Sequence, residues 1–281
     1  MEIKFDNVTY AINAGTSLEK TLVKDISFEI NNTNIYAFIG SSNSGKTIIG
    51  NMMNSLITPL HGNIFINNIN ICKKRIRKSS FTFKSVGLVQ RNPYNMFFNK
   101  SVRKELEFAL DMFNYKTKDK HLRIKNACRL FGINEDLLNV NPLDLGYNDA
   151  KKVAIASVFL FNPSIIILDE SENGMSYYEK DELRRILLLL KNKYNKTIIL
   201  LSKNTDFIYS TASYVFILNK SKLITKGDIS LLENKDLMHS NGLKVPFIVD
   251  FINKVNDKTN VMLSYNKDIR DTVKEVFRNV Q

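Results

Sequence analysis

Residues Gly40-Ser41-Ser42-Asn43-Ser44-Gly45-Lys46-Thr47 match the pattern G-x-x-x-x-G-K-[ST], and their flanks supply the context this pattern needs. Residues 35–39 form a short apolar run ending at a glycine, which reads as a buried strand, and residues 48–56 read as a helix. Strand, glycine loop and helix in that order restrict the chain to an α/β core in which the loop wraps an anion. The glycines let the backbone curl, so that successive N–H groups and the helix N-terminus point at a β-phosphate. In this arrangement Gly40, Ser41, Ser42, Asn43, Ser44 and Gly45 form the cradle. Lys46 reaches the β- and γ-phosphates, and the Thr47 hydroxyl ligates Mg²⁺. A nucleoside triphosphate site is the expectation.

The 281 residues suffice for one large α/β domain with an appendage, and an apolar content of 44% is ordinary for a globular chain. Cys72 and Cys128 stand far apart, in no metal-ligand spacing, and fit a reducing compartment. The start, Met1-Glu2-Ile3-Lys4-Phe5-Asp6, is strand-like and charged, so no signal peptide is expected. The longest apolar region, residues 153–168, is broken by Asn162-Pro163 and is too short to span a bilayer, which points to a soluble chain. A net charge of +12 admits two readings: an anionic partner, or the abundance of Lys, Asn and Ile that an AT-rich genome produces. The densest basic run, Lys73-Lys74-Arg75-Ile76-Arg77-Lys78, lacks interleaved aromatics for base stacking. Nucleic acid is therefore not expected, and the run reads as a solvated loop able to face a membrane surface.

Strands are expected at residues 3–8, 22–30, 35–39, 62–66 and 86–89. From 101 to 160 the pattern turns helical: Glu105, Leu106, Phe108, Ala109 and Met112 share one amphipathic face, and residues 121–131 form another. Strand 165–168, helix 179–193, strand 197–201 and strand 215–218 follow, and from about 237 two further helices, 247–254 and 267–278, close the chain. The layout is a mixed sheet interrupted by a helical insert.

Ile165-Ile166-Ile167-Leu168 runs into Asp169-Glu170. A buried strand that ends in adjacent acids is a poor core motif, because an unpaired buried charge costs several kcal/mol. It makes sense if Asp169 holds Mg²⁺ and Glu170 orients the attacking water as general base. A strand ending at a polar loop looks the same, and the upstream residues 40–47 decide for the functional reading.

With Val153-Ala154-Ile155-Ala156, Asn162-Pro163 and Leu168-Asp169-Glu170, the chain resembles the ATP-binding subunits of ABC transporters. At the front, Val8-Thr9-Tyr10, Ala14-Gly15-Thr16-Ser17-Leu18-Glu19-Lys20 and Leu22-Val23-Lys24-Asp25-Ile26-Ser27 are similar to one of the two ATPases of energy-coupling factor vitamin and metal transporters. The resemblance implies an α/β fold: a P-loop NTPase core of the ABC-ATPase type with a mixed sheet, an antiparallel N-terminal sheet, a helical subdomain and a small C-terminal helical extension. It places the ATP-binding domain at 1–236, its helical subdomain at about 91–160, and the extension at 237–281. It implies ATP and Mg²⁺, a second homologous ATPase subunit, a multi-span membrane coupling subunit that docks on residues 86–108, and a substrate-binding membrane subunit. The chain would sit peripherally on the cytoplasmic face of the cell membrane and drive uptake of a vitamin or metal ion.

Several positions depart from that family. Its Leu-Ser-Gly-Gly-Gln signature, which touches the γ-phosphate held by the other subunit, falls on Leu145-Gly146-Tyr147-Asn148-Asp149. Tyr147 adds bulk and Asp149 adds charge where backbone must approach a polyphosphate, although Asn148 or Asp149 could simply cap a helix. The switch histidine is replaced by Lys203, which either donates to a γ-phosphate or is an idle surface residue. Aligning on Pro93 puts Arg91 at the family's glutamine, with Gln90 one residue early; either Gln90 slips into the Mg²⁺-sensing role or that contact is lost. The adenine-stacking aromatic aligns best with Ile12, with Tyr10 two residues away, and Asn173-Gly174-Met175-Ser176 lacks the family's aspartate. An alternative function follows: a degenerate, weakly hydrolytic half of a heterodimeric ATPase, mainly structural or regulatory.

Overall fold

The computed structural model describes residues 2–77, 84–112, 117–258, 263–265 and 269–279. Strands β1 (Ile3–Ile12), β2 (Lys20–Ile30) and β3 (Ile35–Gly40) lead into helix α1 (Lys46–Met53), followed by β4 (His61–Ile66), β5 (Ile69–Asn70), the helical turn α2 (Lys74–Arg77) and β6 (Val86–Val89). A helical segment contains α3 (Val102–Asp111), α4 (Thr117–Phe131) and α5 (Tyr147–Leu160). The chain then alternates through β7 (Ile165–Asp169), α6 (Tyr177–Tyr194), β8 (Thr197–Ser202), α7 (Thr205–Thr211), β9 (Tyr214–Asn219) and β10 (Lys222–Asp228). It ends in α8 (Lys235–Ser240), α9 (Phe247–Lys258) and α10 (Ile269–Asn279).

Two sheets result. One is antiparallel with order β2-β1-β4-β5, and the other runs β10-β9-β3-β8-β7-β6. In the larger sheet β9, β3, β8, β7 and β6 are parallel, while β10 pairs antiparallel with β9 at the edge. The sheet is therefore mixed, as expected.

Successive strand residues face opposite sides, and the core divides accordingly. Phe38, Ile167, Ile199, Leu201 and Phe216 face α1 and the antiparallel sheet. Ala37, Ile39, Ile166, Leu168, Ile198 and Leu200 face the helical segment and α6. Because both faces are covered, these strands read as near-continuous apolar runs. The two sheets meet through rings: Phe38 stacks on Phe216 at 4.4 Å and lies 5.1 Å from Phe28, which itself stacks on Phe5 at 4.4 Å.

Two expectations are corrected. The basic run is not simply a loop, since Lys74–Arg77 is a helical turn; Lys78 lies outside the described residues. The first helix starts two residues earlier than the apolar pattern suggested, at Lys46, and ends at Met53, because Asn54 turns the chain. In the tail, Met238, Leu243 and Val249 are buried in the same core as the sheet. Edge strand β10 was missed because its alternating exposed and half-buried residues include Lys222, Thr225, Lys226 and Gly227, a poor match to a buried strand.

Phe38 is fully buried at the junction of the two sheets. Phe38→Ala should lower unfolding free energy by about 3–5 kcal/mol, measured as a shift in denaturant midpoint with an unchanged slope.

Candidate functional site

The site forms where β3 and β7 end. Register aligns Ile39 with Ser202 and Asp169 with Leu201, so the carboxyl ends of β3, β8 and β7 lie side by side. This is the edge at which open α/β sheets bind ligands. Both motif glycines answer to sterics. A Cβ on Gly40 would lie 2.4 Å from the Leu218 carbonyl oxygen and from Ser44 Oγ, and Gly45 has φ +102 with the Leu22 carbonyl oxygen 2.7 Å from such an atom.

Lys46 opens α1 and folds back across the loop. Its Nζ donates to the carbonyls of Gly40 (2.8 Å) and Ser41 (2.9 Å) and to Ser44 Oγ (3.2 Å). Burial pushes its ammonium below the ordinary lysine value, opposed by the charges of Glu170 and Asp169. The chain thus holds the cation over the loop with its own carbonyls.

Thr47 Oγ1 donates to Asp169 Oδ2 at 2.8 Å, which joins the loop to β7. The other oxygen, Asp169 Oδ1, is buried without a hydrogen-bond partner among the described residues, and burial raises the carboxyl's pKa. A hydroxyl and a carboxylate with one unclaimed oxygen form a hard donor set that fits Mg²⁺, which takes few protein ligands and keeps waters and phosphate oxygens for the rest. No cluster of three or more His, Cys, Asp or Glu exists among the described residues to suggest a metal caged by protein alone.

Glu170 adopts φ +44, and its N–H donates to the Leu201 carbonyl at 2.8 Å. Its Oε2 accepts from Asn173 Nδ2 at 2.6 Å and lies 3.1 Å from Arg91 Nε. Gln90 and Arg91 both line a cavity of about 640 Å³, together with Thr47, Asp169 and Tyr147. Only Arg91 contacts a carboxylate. Lys203 is exposed, but its charge reaches Lys46. Ile12, 39% exposed, pairs with Lys20 on β2, the strand whose Leu22 carbonyl backs Gly45. The structure thus brings Lys46, Thr47, Gln90, Asp169 and Glu170 together, while Ile12 lies on β1 and does not line the cavity.

The altered signature is arranged differently from the capping expectation. Gly146 is the N-cap of α5 and no side chain caps it; Asn148 Nδ2 instead donates to Glu179, while Asp149 lies in the first helical turn. Asn148 turns away because Glu179 already sits beside it, closing a capping box with Ser176 at the start of α6. Tyr147 folds onto its own chain. Its hydroxyl donates to the Arg91 carbonyl at 3.3 Å, and its ring lies 3.2 Å from where a Cβ on Gly174 would be.

Lys151 escaped the sequence reading. It sits 1% exposed on α5, with Nζ donating to the carbonyls of Ser171 (2.6 Å) and Asn173 (2.6 Å) and standing 4.5 Å from the Tyr147 ring centroid. It pins the segment after Glu170 to the signature helix. The only available signal was a lysine inside the apolar run that starts at Ala150. Nearby, buried Glu172 accepts from the Ser202 hydroxyl, and burial raises its pKa.

Burial lowers Lys151 from 10.5 to about 8. Between about pH 8 and 10.5 the unfolded chain then holds a proton that the folded chain has released, so this group makes stability rise with pH across that window. Lys151→Met should remove that rise, seen as a flatter dependence of Tm on pH between about 8 and 10 than in the unmodified chain.

Known proteins resemble this chain over most of its length. The ABC transporter family model matches residues 23–173. The chain is similar to the energy-coupling factor transporter ATP-binding protein EcfA2 of Clostridium tetani, 32% identical over 92% of this chain and 90% of the relative. It is similar also to EcfA2 of Streptococcus agalactiae, 30% identical over 92% of each chain. Among solved structures it superposes on CbiO1 of Clostridium perfringens, described as part of the ABC transporter complex CbiONQ, with TM-score 0.74 and 24% identity, covering 89% of this chain and 98% of the other. The dimeric post-hydrolysis ATP-binding cassette MJ0796, bound to ADP and Pi, gives TM-score 0.74 at 19% identity, covering 81% and 98%. These two establish the ABC-ATPase fold. The sequence relatives are named as ATP-binding proteins, which leaves the reading as a mainly structural, degenerate half without support. By identity and coverage, the chain belongs to the ABC transporter ATPases, among the energy-coupling factor transporter ATP-binding proteins.

Proposed function

We propose that this chain binds Mg²⁺-ATP at residues 40–47 and works with a second, homologous ATPase subunit to power uptake of a vitamin or metal ion. The observation that carries the reading is the convergence of Lys46, Thr47, Asp169 and Glu170 at the carboxyl ends of β3 and β7, on either side of β8, with Asp169 Oδ1 lacking a partner among the described residues. The loop N–H groups of residues 41–45 and Lys46 hold the phosphates, and Thr47 and Asp169 hold the metal. Bound Mg²⁺ neutralises charge on the phosphate oxygens. Glu170 orients a water and accepts its proton. Gln90 faces the metal side of the cavity, Lys203 supplies positive charge near the terminal phosphate, and Ile12 offers an apolar edge to the base.

The relatives are named as energy-coupling factor transporter components, and the partners follow from that. A multi-span coupling subunit docks on residues 86–108, where Phe98 is 65% exposed and packs edge-on to Phe108. Buried Glu105 fixes this surface by accepting from the N–H groups of Phe98 (3.2 Å) and Asn99 (3.0 Å). A separate membrane subunit recognises the substrate. The ATPase lies peripherally at the cytoplasmic face; among the described residues no helix is long and apolar enough to cross a membrane. Residues 1–236 form the ATP-binding domain, with about 91–160 as its helical subdomain, and 237–281 form an extension from which Met238, Leu243 and Val249 pack into the same core.

Lys46→Ala should weaken Mg²⁺-ATP binding at least tenfold, ~1.4 kcal/mol, by calorimetry on the full chain. Glu170→Gln in the assembled complex should leave ATP bound and uncleaved, a loss of about 10²–10⁴-fold in turnover. Unchanged affinity in the first variant or unchanged turnover in the second contradicts the assignment.

Tyr147 and Asp149 stand where a partner's γ-phosphate needs close backbone. A different subunit, bearing an intact signature, therefore completes this chain's phosphate site. ATPase activity of the purified chain should be negligible and should rise on co-expression with that partner. Restoring Tyr147→Gly, Asn148→Gly and Asp149→Gln should activate the partner's site rather than this one. Turnover of ~1 s⁻¹ by the isolated chain, as for ordinary enzymes, would refute the pairing.

A further inference from the structure

Arg91 follows Gln90 on the loop leaving β6, and its side chain is 64% exposed. Its Nε nonetheless turns inward to lie 3.1 Å from Glu170 Oε2, on a carboxylate side chain only 10% exposed. The same oxygen already accepts from Asn173 Nδ2 at 2.6 Å, so Glu170 keeps a partner if Arg91 leaves. The carbonyl of Arg91 accepts from the Tyr147 hydroxyl at 3.3 Å, which anchors the backbone of Arg91 independently of its guanidinium. Arg91 lines the same cavity as Thr47 and Asp169, and its charge is felt at both Lys46 and Asp169. The guanidinium therefore borders the space into which a phosphate chain on residues 40–47 would extend.

We propose that Arg91 senses the terminal phosphate: it holds Glu170 in the nucleotide-free chain, and a bound triphosphate draws it from that carboxylate onto the γ-phosphate. The inference rests on the nucleotide site described above. A γ-phosphate presents more charge and more acceptor oxygens than one carboxylate oxygen shared with an amide, and Arg grips phosphate through two parallel donors. An ion pair with one solvent-exposed partner is weak enough to exchange. A diphosphate lacks the competing group and leaves the Arg91–Glu170 pair in place. Glu170 is thus unclamped, and free to accept a proton from water, only when there is a phosphate to cleave.

The test is calorimetry on the full chain with Mg²⁺ and either ADP or a non-hydrolysable ATP analogue. Arg91→Gln should cut the preference for triphosphate over diphosphate about tenfold, ~1.4 kcal/mol, with ADP affinity unchanged. Arg91→Lys should restore part of that preference, because the charge returns without the two-donor geometry. Glu170→Gln should tighten triphosphate binding severalfold when Arg91 is present and not in the Arg91→Gln background. An unchanged preference in Arg91→Gln, an equal loss for both nucleotides, or the same gain from Glu170→Gln in both backgrounds would overturn the proposal. Failure of the unmodified chain to bind either nucleotide would remove the nucleotide site itself and the inference with it.

Discussion

The hydrogen bond from Thr47 to Asp169, 2.8 Å long, is the constraint on which the site depends. It ties the start of α1 to the end of β7 across the intervening β8, so the loop of residues 40–47 is held against the acidic strand end. Around it, charge is balanced within the chain. Carbonyls of the loop hold the Lys46 ammonium, Arg91 and Asn173 hold Glu170, and Lys151 holds the segment beyond. Burying so many charges is tolerable only because nearly every one is met by a dipole or an opposite charge. The exception is Asp169 Oδ1, and an unmet buried carboxylate oxygen beside a hydroxyl is what a hard cation seeks.

Much of this was legible beforehand because the motif imposes its own geometry. The glycines at Gly40 and Gly45 marked a tight loop, and the apolar residues around it read as a buried strand before it and a helix after it. Asp169-Glu170 at the end of such a run marked a candidate site only together with residues 40–47, since a strand ending at a polar loop looks the same. The layered sheet was legible from the alternation of strands and helices, and its runs of Ile and Leu are those of strands covered on both faces.

What stayed hidden depends on contacts between distant residues. Lys151 looks like any helical lysine until the fold sets three carbonyls within its reach. Asn148 reads as a cap, and only the approach of α6 shows that Glu179 takes it instead. The choice between Gln90 and Arg91 could not be made from alignment on Pro93, because both face one cavity and just one reaches a carboxylate. Edge strand β10 was lost because an edge leaves little apolar pattern to read.

On this reading the phosphate site is preformed, and its charges are held by the chain itself until a triphosphate replaces those contacts. A crystal structure with Mg²⁺ and a non-hydrolysable ATP analogue tests this most directly. It should show the metal between Thr47 Oγ1 and Asp169, Lys46 Nζ moved from the carbonyls of Gly40 and Ser41 onto phosphate oxygens, and the backbone of residues 40–47 unchanged. A nucleotide bound elsewhere, or Lys46 still capped by those two carbonyls beneath an ordered triphosphate, would contradict it.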